Sequence, residues 1–261
     1  MTVSLLGFAW DASSSHARGA ALGPSIIKAL LGSDISNDYS ISGVGLSDIV
    51  GARAFPDLPE DAAAARDAIA THVAQALKAG MKPLSLGGDH SITLPILRAM
   101  HAAHGRMNVL HIDAHTDLYD ELCGDRYSHA CPFRRAIEEG LIGTLVQVGI
   151  RAARPEHLDF GRAHGVIILG ADEIEAVPFA RLSAPLYVSI DLDGLDPAYA
   201  PGVSHPEPGG LSTREVLSIL KKLPTAPVGA DIVELNPEKD MNLLTAHVAV
   251  RLVKELAALM G

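Results

Sequence analysis

The sequence predicts an α/β fold, a largely parallel sheet of about eight strands covered by helices on both faces. Three observations lead there. Short apolar stretches alternate with helical ones along the whole chain of 261 residues. Gly and Pro are scattered between these stretches, as many short loops require, instead of being gathered in a tail. There is no repeat at solenoid spacing and no linker, so residues 1–261 read as a single domain.

The elements follow in order. Residues 3–8 read as a first strand. Gly23-Pro24 then opens a helix to about residue 31, with proline near the start, where its missing N–H costs nothing. A second strand is expected at 39–44. Residues 60–79 are Ala-rich and end at Gly80, which predicts a helix. A strand at 82–86 precedes Gly87-Gly88-Asp89-His90, and a helix at 91–103 carries Pro95 in its first turns. Val109, Leu110 and Ile112 make a strand of the stretch that enters Asp113. A helix is expected at 132–139, a strand at 145–150 and a helix at 155–163. A strand at 166–169, a helix at 171–180 and a strand at 186–190 come next. A Gly/Pro loop follows over 193–210. Ser212 or Thr213 caps a helix at 213–222. A strand at 228–233 and a helix at 242–260 close the chain.

Bulk properties narrow the partners. Apolar residues make up 48% of the chain, enough for a large core. A formal net charge of -10 argues against nucleic acid or an anionic membrane, and its field favours a cationic ligand. Cys123 and Cys131 are too few for a disulfide framework and read as plain thiols. No apolar run approaches a membrane span, and residues 1–8 lack the marks of a signal peptide. A soluble, cytoplasmic protein is expected.

The chemistry gathers at strand ends. The strand over 109–112 runs straight into Asp113, His115 and Asp117. Alternate residues of a strand point the same way, so these three share one direction if the chain stays extended. Two carboxylates and an imidazole are costly to bury, and a cation is the simplest thing that makes the set favourable. Three further strands end alike, in Gly-Gly-Asp89-His90, in Ser189-Ile-Asp191-Leu-Asp193 and in Asp231-Ile-Val-Glu234-Leu-Asn-Pro237. In open parallel sheets, sites collect at the carboxyl ends of strands. Four such ends on one edge predict a metal site. Four aspartates and two histidines without thiolate suit a hard six-coordinate ion such as Mn²⁺. Their charge calls for two cations, sharing Asp113 and Asp191 as bridges, and such a pair can hold one hydroxide at neutral pH.

Gly-Gly-Asp-His-Ser at 87–91, Asp-Ala-His-Thr-Asp at 113–117, Ser-Ile-Asp-Leu-Asp-Gly-Leu-Asp-Pro at 189–197 and Val-Glu-Leu-Asn-Pro at 233–237 resemble the ureohydrolase family of arginases and agmatinases. The likeness spans nearly the whole chain. It implies an arginase-like three-layer α/β/α sandwich, two Mn²⁺ per chain, and hydrolysis of a small cationic guanidino substrate to urea and an amine. It implies that His90, Asp113, Asp117 and Asp191 bind one manganese and Asp113, His115, Asp191 and Asp193 the other. By the same resemblance Asp117 accepts a hydrogen bond from the attacking hydroxide, His129 shuttles the proton and Glu234 clamps the guanidinium. A homo-oligomer, trimer or hexamer, is implied by resemblance alone. A guanidinium is a poor electrophile whose N–H edge suits a carboxylate, and its strongly basic leaving amine must depart protonated, which suits an imidazole.

Other residues receive plainer readings. Asp89 reads as a hydrogen-bonding group beside the site and His111 as a core or supporting histidine. Asp196, before Pro197, reads as a turn residue. His205 falls on the rim, open to substrate contact or loop packing. His16, His72, His101, His104, His157, His164 and His247 read as surface or helix-face residues. Asp120, Glu121 and Asp125 stand against Arg126 alone in the loop after Asp117. Such an acidic rim favours a second positive charge and tilts the substrate towards agmatine. Residues 200–210 are similar instead to plant-type arginases, which keeps arginine and guanidino acids open. A related amide hydrolase and a non-catalytic, metal-binding family member are the rival readings, and the intact ligand set speaks against the second.

Overall fold

The structure is a computed structural model, and residues 2–261 are described. Among them eight strands form one sheet: β1 (Val3–Phe8), β2 (Val50–Ala54), β3 (Lys82–Gly87), β4 (Met107–Ile112), β5 (Ile142–Val148), β6 (Ile167–Leu169), β7 (Leu186–Asp191) and β8 (Gly229–Val233). Their order is β2-β1-β3-β8-β7-β4-β5-β6, and all neighbours are parallel. The helices are α1 (Gly23–Leu31), α2 (Leu46–Ile49), α3 (Ala62–Lys78), α4 (Thr93–His104), α5 (Pro132–Glu138), α6 (Pro155–Ala163), α7 (Thr213–Lys221) and α8 (Leu244–Met260). This is the three-layer sandwich expected.

Local chemistry explains the helix starts. The Asp61 carboxylate accepts from the Ala64 N–H at 2.8 Å and caps α3. Ser212 and Glu215 bond to each other's backbone N–H in a capping box at α7. Pro24, Pro132 and Pro155 sit in the first turns of α1, α5 and α6.

Strand alternation divides the apolar side chains between two cores. Leu84, Leu86, Leu110, Ile112, Val188 and Ile190 pack with α1, α7 and α8. Val109 and Tyr187 face the other way, with Ile69 and Val73 of α3, Ile96 of α4 and Phe133 of α5. Each large apolar side chain removed from water contributes about 1.5–3 kcal/mol before entropy is counted. On the second face the central strands carry polar groups. Ser85 of β3 pairs with Asp231 of β8, Asp231 with Ser189 of β7, Ser189 with His111 of β4, and His111 with Gln147 of β5. All five are fully buried.

Three local expectations fail. Residues 39–44 are a turn, with one antiparallel bridge from Tyr39 to Gly45, because Gly43 at φ 82° reverses the chain there. The second strand is instead β2, an edge strand of sequence Val-Gly-Ala-Arg-Ala with little apolar signal. Residues 171–180 are not one helix. They form 3₁₀ turns at Ala171–Ala176 and Phe179–Arg181, with Pro178, which cannot continue a helix, between them. The chain also does not stay extended to Asp117. Strand β4 ends at Ile112, and Asp117 adopts φ 52°.

Candidate active site

The sheet order places β3, β8, β7 and β4 side by side, so the four motif-bearing strands end at one point. Turns then bring the side chains together. At the end of β3, Gly88 must be glycine, because a Cβ there would lie 1.8 Å from the Trp10 carbonyl oxygen. At the end of β7, a Cβ on Gly194 would lie 2.7 Å from the Asp113 backbone N.

His90 Nδ1 lies 2.9 Å from Asp117 Oδ2 and 3.2 Å from both Asp113 Oδ2 and Asp191 Oδ2. His115 Nδ1 lies 3.4 Å from Asp113 Oδ1 and 3.1 Å from Asp193 Oδ2. The structure therefore brings all six expected ligands together, in two groups. Asp113 joins them, with Oδ2 in one and Oδ1 in the other. Asp191 stands beside the first group and is tied to the second through its backbone neighbour, whose Asp193 N–H it accepts at 2.8 Å.

The fit to metal ions can be tested on hydrogen bonding. His90 Nδ1 and Asp117 Oδ2 are buried and close, yet neither makes an aligned hydrogen bond. Such misalignment is what lone pairs converging on a shared centre produce. Two tight ligand clusters result, one of His90, His111, Asp113 and Asp117, the other of Asp113, His115 and Asp193. Titration agrees. Burial opposes charge on His90 and His115, but the surrounding aspartates lift His90 well above its usual value and His115 to about 12. Burial and neighbouring carboxylates push Asp191 well up and Asp193 up to about 6. The cluster favours positive charge, and the donor set fits metal cations.

Supporting groups surround this cluster. His111 Nε2 lies 2.7 Å from Asp113 Oδ2, and the Gln147 amide donates to His111 Nδ1 at 3.0 Å. Gln147 also donates to the Thr116 carbonyl at 2.6 Å, which fixes the amide's orientation. His111 is thus a donor to Asp113, in keeping with its supporting reading. Buried Asp89 accepts from the N–H of Ser13 at 2.9 Å and of Ser91 at 3.0 Å. It pins the N-terminal loop to the site. Burial pushes its carboxyl up to about 6.

Glu234 sits at φ 68°, a strained backbone for a long side chain. Its Oε1 accepts from the His90 N–H at 2.9 Å, while its buried Oε2 has no partner. Burial and nearby Asp89 push its carboxyl well up, so the ionised form calls for a cation. His129 is buried, and Ser15 Oγ lies 3.3 Å from its Nε2. Burial lowers His129 to about 4. Both residues line a cavity of about 180 Å³ with Ser15, Tyr119, Leu122, Ala130, His205 and all the expected ligand residues but Asp113.

Several contributors lie outside the motifs. The Arg151 guanidinium donates to the carbonyls of Asp193 and Glu207 and so ties the 193–210 loop to the ligands. Asp196 accepts from the N–H groups of Ala198, Gly209 and Gly210, as its turn reading implies. His157, read as a surface or helix-face residue, lies on α6 and is buried, its ring 4.0 Å from Tyr119 of the cavity wall. His16 is exposed as expected, with its ring 5.8 Å from that of His205. Ser15 and Tyr119 carry no signal in the sequence, since hydroxyl residues in polar loops are common. Cys123 is exposed, and burial pushes the Cys131 thiol up to about 12, so neither is marked as a nucleophile.

A parallel sheet whose central strand ends converge on a carboxylate-rich, cation-seeking cluster is the frame of a metal-binding enzyme site. Residues 1–259 match the Arginase family, and the chain belongs to it. It is 39% identical to arginase 1, mitochondrial, of Arabidopsis thaliana over 98% of this chain and 80% of that one. It is 37% identical to proclavaminate amidinohydrolase of Streptomyces clavuligerus over 97% of this chain and 86% of that one. The arginase of Medicago truncatula superposes with a TM-score of 0.91 at 38% identity, covering 99% of this chain and 87% of that one. The chain is a ureohydrolase-type enzyme that hydrolyses a guanidino group.

Proposed function

We propose that the substrate is a guanidino acid, arginine first, and that the ions are manganese. One observation carries the substrate reading. Beyond the ligands and Glu234, the cavity is lined by Ser15, Tyr119, Leu122, His129, Ala130 and His205, with no carboxylate among them. A second cationic group would meet no counter-charge there, whereas hydroxyls and imidazoles can donate to a carboxylate tail. The acidic loop that pointed towards agmatine loses its footing. Asp120 pairs with Arg135 at 2.8 Å and Arg126 at 3.4 Å, away from the cavity lining. An arginase and a proclavaminate amidinohydrolase among the relatives are in keeping with this reading, as agmatinases among the solved neighbours are with agmatine. The oxygen-rich donor set favours manganese over zinc.

His90, Asp113, Asp117 and Asp191 would hold one ion, and Asp113, His115, Asp191 and Asp193 the other. Such a pair supplies water activated near neutral pH. The residues supply the rest. Glu234 Oε2 clamps the guanidinium edge and sets its carbon over the cluster. Asp117 Oδ2 accepts a hydrogen bond from the attacking water. His129, neutral at pH 7, takes one proton from that water and hands it to the leaving nitrogen as the C–N bond breaks, and the water's second proton, lost from the new hydroxyl as the carbonyl forms, goes to the same nitrogen, which balances urea plus a protonated amine. Ser15 orients the His129 ring. The test is urea release after Mn²⁺ loading, over arginine, agmatine and guanidinobutyrate. Arginine or guanidinobutyrate is expected to exceed agmatine at least tenfold in kcat/KM. Preference for agmatine refutes the reading of the cavity mouth, and no urea from any guanidine points to a non-catalytic family member.

A further inference from the structure

The fully buried Asp231 lies one layer beneath the ligands and touches none of them. Three hydroxyls converge on it. Thr93 Oγ1 donates to Oδ2 at 2.9 Å, Tyr187 Oη to Oδ2 at 2.7 Å, and Ser189 Oγ to Oδ1 at 2.6 Å. Ser189 Oγ is also 2.9 Å from His90 Nε2. A hydroxyl has one proton, and a carboxylate has none to give. Ser189 has spent its proton on Asp231, so towards His90 it can only accept. His90 Nε2 must then carry hydrogen. That leaves Nδ1 to offer a lone pair to the point where Asp113, Asp117 and Asp191 meet it within 3.2 Å.

We infer that Asp231, acting through Ser189, is a positioning residue that locks His90 in the tautomer able to bind metal through Nδ1. Tyr187 and Thr93 saturate the far oxygen of Asp231, so the carboxylate cannot turn away from Ser189. The β7–β8 register, which sets Ser189 opposite Asp231, builds this relay into the sheet. The two ligand groups respond differently. The His90 group depends on the relay, while the His115 group has no bond to it. The inference rests on the metal centre proposed above.

The test is a two-site Mn²⁺ calorimetric titration of the full-length protein, with thermal unfolding alongside. Ser189→Ala removes the acceptor and is expected to weaken one of the two sites about 10- to 100-fold, the range for removing the partner of a ligating histidine. The other site and the unfolding midpoint should hold. Ser189→Thr, which keeps the hydroxyl, should restore affinity to within about threefold, and Asp231→Asn should weaken the same single site. Ser85→Ala is the matched control. Ser85 faces Asp231 from β3, equally buried, but its hydroxyl makes no bond, so both sites should be unchanged. Wild-type affinity at both sites in Ser189→Ala overturns the relay and leaves the metal centre standing. Equal weakening of both sites with a lowered midpoint also overturns it, because that is a packing effect. Wild-type protein that takes up no Mn²⁺ overturns the metal centre and the relay together.

Discussion

Glu234→Gln isolates the charge of the guanidinium clamp. Gln keeps the side-chain length and an Oε1 that can still accept from the His90 N–H at 2.9 Å, so the backbone at φ 68° and the metal ligands should stay in place. What goes is the partnerless Oε2, which becomes an N–H₂ donor facing a donor-only substrate. A hydrogen bond to a charged group contributes about 1.5–3 kcal/mol. At about 1.4 kcal/mol per decade, kcat/KM should fall roughly 10- to 150-fold. The mismatched donor places the result towards the upper end. Stability should move the other way or not at all, because burial beside Asp89 makes the Glu234 charge unfavourable and Gln carries none. The assay is urea release against substrate concentration, with metal content and unfolding temperature measured on the same preparation. A kcat/KM within threefold of wild type at full metal content would show that Glu234 does not hold the guanidinium.

Asp113→Asn should abolish metal uptake and urea release together, since its two oxygens face both ligand groups; full metal content in the variant contradicts the bridging role. Chelation of the wild type should remove activity and Mn²⁺ should restore it, with protons released on reloading because His90 and His115 hold them against the carboxylates. Gly194→Ala should cost about 1–3 kcal/mol from overpacking, a drop of about 2–4 °C per kcal/mol in a domain of this size, because its Cβ meets the Asp113 backbone at 2.7 Å; an unchanged unfolding midpoint counts against that contact. Burial lowers His129 to about 4, below its ordinary value, so it is neutral throughout pH 6–9. The activity ratio of wild type to His129→Asn should therefore be flat over that range, and a tenfold change per pH unit within it would place the titration elsewhere.

The sequence made most strands and the candidate ligand residues legible because both are local. An apolar run into Asp113 or Asp191 is visible wherever it lies. The sheet order was not legible, and it decides the site. Nothing local shows that β8, near the end of the chain, lies between β3 and β7, yet that placement sets Glu234 beside His90. β2 was missed because its side chains alternate between half-buried and exposed, so it needs no apolar run. The acidic loop shows less in the sequence than in the structure, because a count of charges does not show direction. Asp120 turns onto Arg126 and Arg135, and Arg135 lies in the next helix.

Convergence of the ligands owes more to broken local rules than to regular strand geometry. Had β4 continued straight, Asp117 would have been carried about 6.6 Å beyond His115 at the usual strand rise. The turn after Ile112, with Asp117 at φ 52°, instead returns its carboxylate to within 2.9 Å of His90. Glu234 reaches the same cavity through another left-handed residue, held where its N–H meets the Gly88 carbonyl at 2.8 Å. Strain of this kind costs on the order of 1–3 kcal/mol per residue and persists only where the surroundings enforce it. The enforcing elements are regular ones, the register of the central strands and the buried polar row on their second face. The sheet therefore does more than present loops. Its fixed pairing of Asp231 and Ser189 holds His90 to one geometry beside the strained Asp117, so a substitution of Ser189 or Asp231 should act on metal affinity before it acts on folding.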